Sequence, residues 1–240
     1  FFIARAEDGT PEQYPMDAWL KLLGMFVADG FYCNGTNAVV ICASKQRKKN
    51  FHREFLEELG VEYNMTDRKT YIRTSRYPSL AYEMKQLSLG ARNKHLPDYV
   101  WNLSQDQSRV LVDSLLQGDG TPNIGSNSGS ARYFTISTTL ANDVSRLALH
   151  AGWGGALRIM HHAGNQSTIT KNGVERPIIT NYNLYAVSII KTQNRPGVTH
   201  CSRRRNGFIE RYEHYEGTVY CLEIPDTHLH VYYSREDMLS

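Results

Sequence analysis

The sequence predicts an α+β protein made of two similar halves, and three observations predict it. First, two apolar segments ninety residues apart each run into Asp-Gly: Leu22-Leu23-Gly24-Met25-Phe26-Val27-Ala28-Asp29-Gly30 and Val112-Asp113-Ser114-Leu115-Leu116-Gln117-Gly118-Asp119-Gly120. Second, a helical pattern ending in glycine follows each at nearly the same distance: Asp29 to Gly60 is 31 residues and Asp119 to Gly152 is 33. Matching offsets make an internal duplication the most economical reading. Third, short runs rich in β-branched and aromatic residues lie between the helices, at 38–42, 70–73, 132–138, 157–162 and 183–191.

Size and composition bound the answer. A chain of 240 residues with 41% hydrophobic and 11% aromatic residues holds one large or two small folded domains. A net charge of +3 permits a nucleic-acid partner without arguing strongly for one. Cys33, Cys42, Cys201 and Cys221 show no C-x-x-C spacing, and no signal peptide or membrane-spanning run is visible. The expectation is therefore a reduced, intracellular protein, nuclear or cytoplasmic according to its host, with no membrane partner and no secretion. The start at Phe1 suggests a processed product or a piece of a longer polypeptide.

Taken in order, residues 1–15 are polar and turn-rich and read as a connector. Asp17 is the expected N-cap of the helix through the first motif, and Gly30 its C-terminal stop. Asn34-Gly35 supplies a hairpin turn before the strand at 38–42. Residues 51–59 place Phe51, Phe55, Leu56 and Leu59 on one helix face. A strand at 70–73 and a helix at 80–89 complete the first unit, 16–103. The second, 104–198, opens on Ser104-Gln105-Asp106-Gln107, which has the form of a capping box. After Asp119-Gly120 come a Gly/Ser/Asn-rich loop, a strand at 132–138, a helix at 140–151 and two long β segments. Residues 199–240 read as a linker and a further β segment.

The two Asp residues carry the chemical argument. In each motif small residues stand four apart, Gly24 with Ala28 and Ser114 with Gly118, so the helices can approach closely through bare faces. Each Asp falls on the last helical turn, where unpaired carbonyls already give negative charge. The same local rule broken at the same place twice points to function, and a bound cation reverses the sign of the argument. The bland alternative is an ordinary Asp-Gly helix end. Basic runs at Lys45-Gln46-Arg47-Lys48-Lys49 and Arg203-Arg204-Arg205 fit phosphate contacts about as well as solvated loops. His161, His162, His200 and Cys201 lack zinc-ligand spacing, and Asp119-Gly120-Thr121 is no EF-hand.

The paired motifs resemble those of LAGLIDADG homing endonucleases. The first copy matches well; the second is looser, with Asp113 and Gln117 at positions that are usually small or apolar and acidic respectively. The resemblance, over residues 20–195, implies two pseudo-symmetric αββαββα halves forming a DNA-binding saddle. It implies Mg²⁺, with Mn²⁺ as a substitute, held by Asp29 and Asp119 with Ala28 and Gly118 beside them. The partner it implies is double-stranded DNA with a long asymmetric site, cut on both strands by a monomer. A lysine near the scissile phosphate is also implied: Lys191 is the first candidate and Lys94, in Lys94-His95-Leu96-Pro97, the second. Lys45, Arg47, Lys48, Arg73, Arg132 and Arg158 are the expected DNA contacts.

The tail adds a context. Glu216-Gly217-Thr218-Val219-Tyr220-Cys221-Leu222-Glu223-Ile224-Pro225-Asp226-Thr227-His228 resembles the penultimate conserved block of inteins, part of a C-terminal protein-splicing domain. Cys221 falls where that block often has Asp, and His228 at its His. The chain lacks a terminal nucleophile and a terminal Asn, so splicing is not expected of it alone. The resemblance implies an intein endonuclease whose partners include the host exteins. An intron-encoded endonuclease or RNA maturase, or a decayed remnant that still binds DNA, are the alternatives.

Overall fold

The computed structural model describes residues 1–121, 130–171 and 174–192, together with His214 and Glu216. The chain divides into two compact units, residues 1–196 and 197–240. All that follows concerns the first unit. Arg203, Arg204, Arg205, Cys221 and His228 lie outside the described residues.

The chain begins with a hairpin of β1 (Phe2–Arg5) and β2 (Pro11–Tyr14), where a connector was expected. Two local facts explain the correction. Ala4 and Tyr14 are buried, and the Phe2 ring stacks on Trp19 with centroids 4.4 Å apart. α1 (Met16–Asp29) follows at once. Pro15, not Asp17, precedes its first residue, and Asp17 sits in the first turn, where a carboxylate favours the helix dipole. From Ala18 to Ala28 only Lys21 escapes burial, because α1 serves two cores. Leu22, Met25 and Phe26 face the first half, while Leu20, Leu23 and Val27 face the second.

The first half continues through β3 (Gly30–Cys33), β4 (Ala38–Cys42), α2 (Gln46–Leu59), β5 (Tyr63–Met65), β6 (Lys69–Arg73) and α3 (Pro78–Gln86). Its antiparallel sheet has the order β3-β4-β6-β5. Sequence patterns missed β3 and β5, which are only four and three residues long. α2 begins earlier than its apolar face suggests, taking in the run from Gln46 to Lys49. α3 starts at Pro78, the proline standing in the first turn where no N–H is missed.

The second half repeats the order: α4 (Gln105–Asp119), β7 (Gly120–Thr121), β8 (Ser130–Thr135), α5 (Thr138–His150), β9 (Gly154–His161) and β12 (Leu184–Ile190). Its sheet, β7-β8-β12-β9, matches the first strand for strand. Between β9 and β12 an extra hairpin is inserted, β10 (Gln166–Lys171) with β11 (Val174–Ile179), which has no counterpart in the first half. The capping box at α4 forms as expected: Gln107 N–H donates to Ser104 Oγ at 3.3 Å, and Ser104 N–H to Gln107 Oε1 at 2.9 Å. β8 is shorter than expected because Ser137 leaves the sheet to cap α5, its hydroxyl accepting from Leu140 N–H.

The architecture is therefore α+β, two pseudo-symmetric halves joined through α1 and α4. Ser114 Oγ crosses that seam to donate to the Lys21 carbonyl at 2.7 Å. A β-carbon built on Gly24 would stand 2.6 Å from Ser114 Cβ, and one on Gly118 only 2.3 Å from Ala28 Cβ. Those distances are shorter than van der Waals contact, so the glycines set how near the helices come. Gly30 and Gly120 end the two helices without turning the chain aside: both have φ −103° and lead straight into a strand. Glycine is needed there because a Cβ would strike the Phe26 and Leu116 backbone at about 2.6 Å.

Candidate active site at the paired helix ends

Because both helices end in Asp-Gly and cross through their small residues, their last side chains meet. Asp119 and Asp29 come close enough across the seam for the charge of one carboxylate to act on the other. Burial, and then the neighbouring Asp29 charge, push the Asp119 carboxyl up to about 7. Two carboxylates this close do not both ionise readily without added positive charge. Lys48 Nζ forms an ion pair with Asp29 Oδ2, and Lys94 Nζ donates to the Ala28 carbonyl, one residue before that Asp. Both ammonium groups act on the Asp119 carboxyl as well.

Lys94 is held by its backbone. Ser137 Oγ donates to its carbonyl at 2.6 Å, and two residues on, Leu96 N–H donates to Asp143 Oδ2 at 2.9 Å. The linker between the halves is thus pinned to α5, and the amine is aimed at the helix ends. Burial pulls the Lys94 amine down, against the upward pull of Asp119 and Asp29.

Two further polar groups border the pair. His52 on α2 is fully buried, its Nδ1 within 2.9 Å of Thr70 Oγ1 and its Nε2 without a partner. Burial, then the Lys48 charge, pull the imidazole down to about 4, so it is neutral at physiological pH. Tyr133 on β8 is fully buried too, its hydroxyl unpartnered and pushed well above the usual phenol range by burial, Asp119 and Asp29. Sequence reasoning missed both. The signal for His52 was present: Lys48, His52, Phe55 and Leu59 share one helix face, so a lysine and a histidine extend an apolar stripe. Nothing local marked Tyr133.

The expected residues divide into those brought together and those not. Asp29, Asp119 and Lys94 converge. Ala28 and Gly118 lie at the seam, but the Ala28 carbonyl is engaged by Lys94, and Gly118 serves the close crossing. Lys191, the first lysine choice, is engaged elsewhere. It pairs with Asp113 and lies over the Trp153 ring, 4.5 Å from its centroid. Asp113, the odd residue of the second motif, draws it away. Lys48, expected to touch DNA, is instead only 11% exposed and tied to Asp29. Lys45 and Arg47 are exposed at the start of α2. Arg73, Arg132 and Arg158 project from the strand faces opposite the core, since Ile72, Ala131 and Tyr133, and Leu157 and Ile159 point inward beside them.

The donor set fits a hard divalent cation. Two carboxylates lie together, burial and then the Asp29 charge raise the Asp119 carboxyl, and Lys48 and Lys94 offset part of that negative charge. Among the described residues no cluster of three or more His, Cys, Asp or Glu side chains forms, so water and substrate oxygens would complete such a shell.

Comparison with known proteins gives two kinds of likeness. No protein-family model matches the chain. It is 29% identical over 265 aligned positions to a DNA-directed RNA polymerase subunit beta C-terminal section of Stigeoclonium helveticum, covering 94% of this chain and 23% of that protein. It is 32% identical over 165 positions to an ATP-dependent Clp protease proteolytic subunit of Chlamydomonas moewusii, covering 62% of this chain and 16% of that protein. The chain thus spans less than a quarter of either curated relative. Among solved structures, the homing endonuclease I-DmoI in complex with DNA and Mn aligns with 75% of this chain and 92% of its own, at 14% identity and a TM-score of 0.45. Other structures of that endonuclease hold target DNA with Mg, or DNA with Ca. Full-length DUF199/WhiA from Thermatoga maritima aligns with 77% of this chain and 54% of its own, at 8% identity and a TM-score of 0.44. With TM-scores below 0.5, these likenesses add no weight to the geometry above.

Proposed function

We propose that this chain is a site-specific DNA endonuclease that hydrolyses phosphodiesters with a divalent metal at Asp29 and Asp119. The observation that carries the reading is the meeting of the two carboxylates at the ends of two helices packed almost backbone to backbone, with Lys48 and Lys94 beside them. Ionised, such a pair costs stability, because the two charges repel and burial disfavours both. It makes sense as a receptor for positive charge. Asp29 and Asp119 would hold Mg²⁺ or Mn²⁺, whose chemistry there is to stabilise the attacking and leaving oxygens of an in-line displacement.

The chain's own residues supply the rest. Asp29 and Asp119 define the point where a phosphate can approach from outside the helix ends. Lys48 and Lys94 offset negative charge that accumulates on the phosphate. Arg73, Arg132 and Arg158, on the outward strand faces, together with Lys45 and Arg47, fit duplex DNA as phosphate and base-edge contacts.

The finer reading is an intein endonuclease, carried inside a host protein and flanked by exteins. Two relatives with unrelated names, a polymerase subunit and a protease subunit, share this segment over a small part of their length, and a module inserted in frame into different hosts accounts for that. The intein-like block with Cys221 and His228 supports the same reading.

The test is Mg²⁺-dependent cleavage of a DNA library of long random and host-junction sequences by this chain and by its Asp29→Asn/Asp119→Asn double variant. Specific double-strand cuts lost in the variant are expected. Salt-sensitive binding to particular duplexes with no cuts would replace the nuclease by a decayed DNA-binding remnant.

A further inference from the structure

Resting on the metal-dependent reading above, we propose that Tyr133 is a positioning residue for the carboxylate pair, its hydroxyl holding Asp119, directly or through one water, in the orientation that receives a divalent cation. Three observations lead there. Tyr133 stands on β8 directly across from Gly120, the residue after Asp119, and its ring packs inward in the core of the second half. The side chain is wholly buried, yet its hydroxyl has no hydrogen-bond partner. An unpartnered buried hydroxyl is destabilising against a ring without it, so a core position that keeps one calls for a use. Finally, the duplicated scaffold supplies its own control. The residue across from Gly30 in the first half is Ile41, equally buried and wholly apolar. Packing at this position is therefore satisfied without a hydroxyl, and the second half carries one only beside its own Asp.

The hydroxyl has the right chemistry. A phenol donates one hydrogen bond to a carboxylate oxygen, leaving that carboxylate's other oxygen for the cation. Partners of this kind, behind a ligand rather than on the metal, alter metal affinity by about 10–100-fold when removed. The first half meets the same need differently: Asp29 has Lys48, with His52 behind it.

The experiment compares the unaltered chain with Tyr133→Phe, Ile41→Val and the Asp119→Asn backgrounds, using Mn²⁺ affinity by titration calorimetry and the Mg²⁺-induced shift in melting temperature. Tyr133→Phe keeps the ring, so its metal-free melting temperature is expected to be unchanged or higher, while Mn²⁺ affinity falls about tenfold or more. Ile41→Val should leave Mn²⁺ affinity within about twofold, and adding Tyr133→Phe to Asp119→Asn should cost no more affinity than Asp119→Asn alone. Full Mn²⁺ affinity in Tyr133→Phe, or an equal loss on top of Asp119→Asn, overturns the positioning role and leaves the nuclease reading standing. No Mn²⁺ or Mg²⁺ response in the unaltered chain overturns both.

Discussion

The two halves of this molecule share a scaffold and divide the chemistry unequally. Their sheets match strand for strand, and α2 and α5 both end against a left-handed glycine, Gly60 at φ 72° and Gly152 at φ 74°. Counting back twelve and eight residues from these glycines, Lys48 corresponds to Leu140 and His52 to Val144. By register, Thr70 corresponds to Val187 and Ile41 to Tyr133. At these four matched positions the first half has Lys48, His52, Thr70 and Ile41, and the second has Leu140, Val144, Val187 and Tyr133. The symmetry belongs to the backbone, where close helix crossing leaves no room for change; the side chains around the pair have been free to diverge.

The largest effect should come from breaking the one symmetric element of the chemistry. Asp29→Asn and Asp119→Asn are each expected to cut cleavage by about 10³-fold or more, equivalent to several kcal/mol of lost charge stabilisation, while DNA affinity changes little. Gel-shift and cleavage assays on the same duplex check this, and equal residual activity in both variants would mean the two Asp residues are interchangeable.

Next comes the crossing. Gly118→Val drives a side chain into Ala28 and should destabilise by about 3 kcal/mol or more, and Gly24→Val against Ser114 by a similar amount. Urea unfolding measures both; a loss below about 1 kcal/mol would show that the helices can separate at little cost.

The asymmetry is sharpened by the lysine and its counterpart. Lys48→Met should lower cleavage by about 10²-fold, and Lys191→Met, whose amine is engaged by Asp113, by less than about threefold. Leu140→Met, at the position matching Lys48, should change stability by less than about 1.5 kcal/mol. Reversal of the two lysines in a kinetic assay would restore Lys191 to the site.

The smallest effect is in pH. Asp119 has a folded-state pKa raised from 3.8 to about 7, so metal-free stability from this group is greatest below pH 4 and is lost as pH rises through 4 to 7. His52 is pulled from 6.5 to about 4 and runs the other way, losing stability as pH falls from 6.5 to 4. The unaltered chain should therefore show a shallow profile between pH 4 and 6.5. Asp119→Asn, freed of one slope, should gain relative to it by an amount on the order of 1–2 kcal/mol between pH 4 and pH 7.5, discounted for partial exposure. Mg²⁺ at pH 7.5 should erase most of that gain; thermal melts across pH read it directly.

Much of this was legible in the chain because it depends on local spacing. Small residues four apart, an Asp on the last turn, a capping box at Ser104 and a glycine after each amphipathic helix are short-range patterns, and physics acts on them locally. They determined the helices, the duplication, the close crossing and the two Asp residues at its end. Tertiary structure alone decided which cations attend those carboxylates. Lys94 reaches them because Ser137 and Asp143 pin its linker to α5, Lys191 misses because Asp113 claims it, and Lys48 arrives on the side of α2 that packs against α1. It alone also turned residues 1–15 into a hairpin, through burial of Tyr14 and stacking of Phe2 on Trp19, and set Tyr133 across from Gly120. Each of those outcomes joins residues far apart in the chain, and pairing at such distances is chosen by packing and by the cost of an unpaired buried charge, neither of which leaves a mark in local sequence.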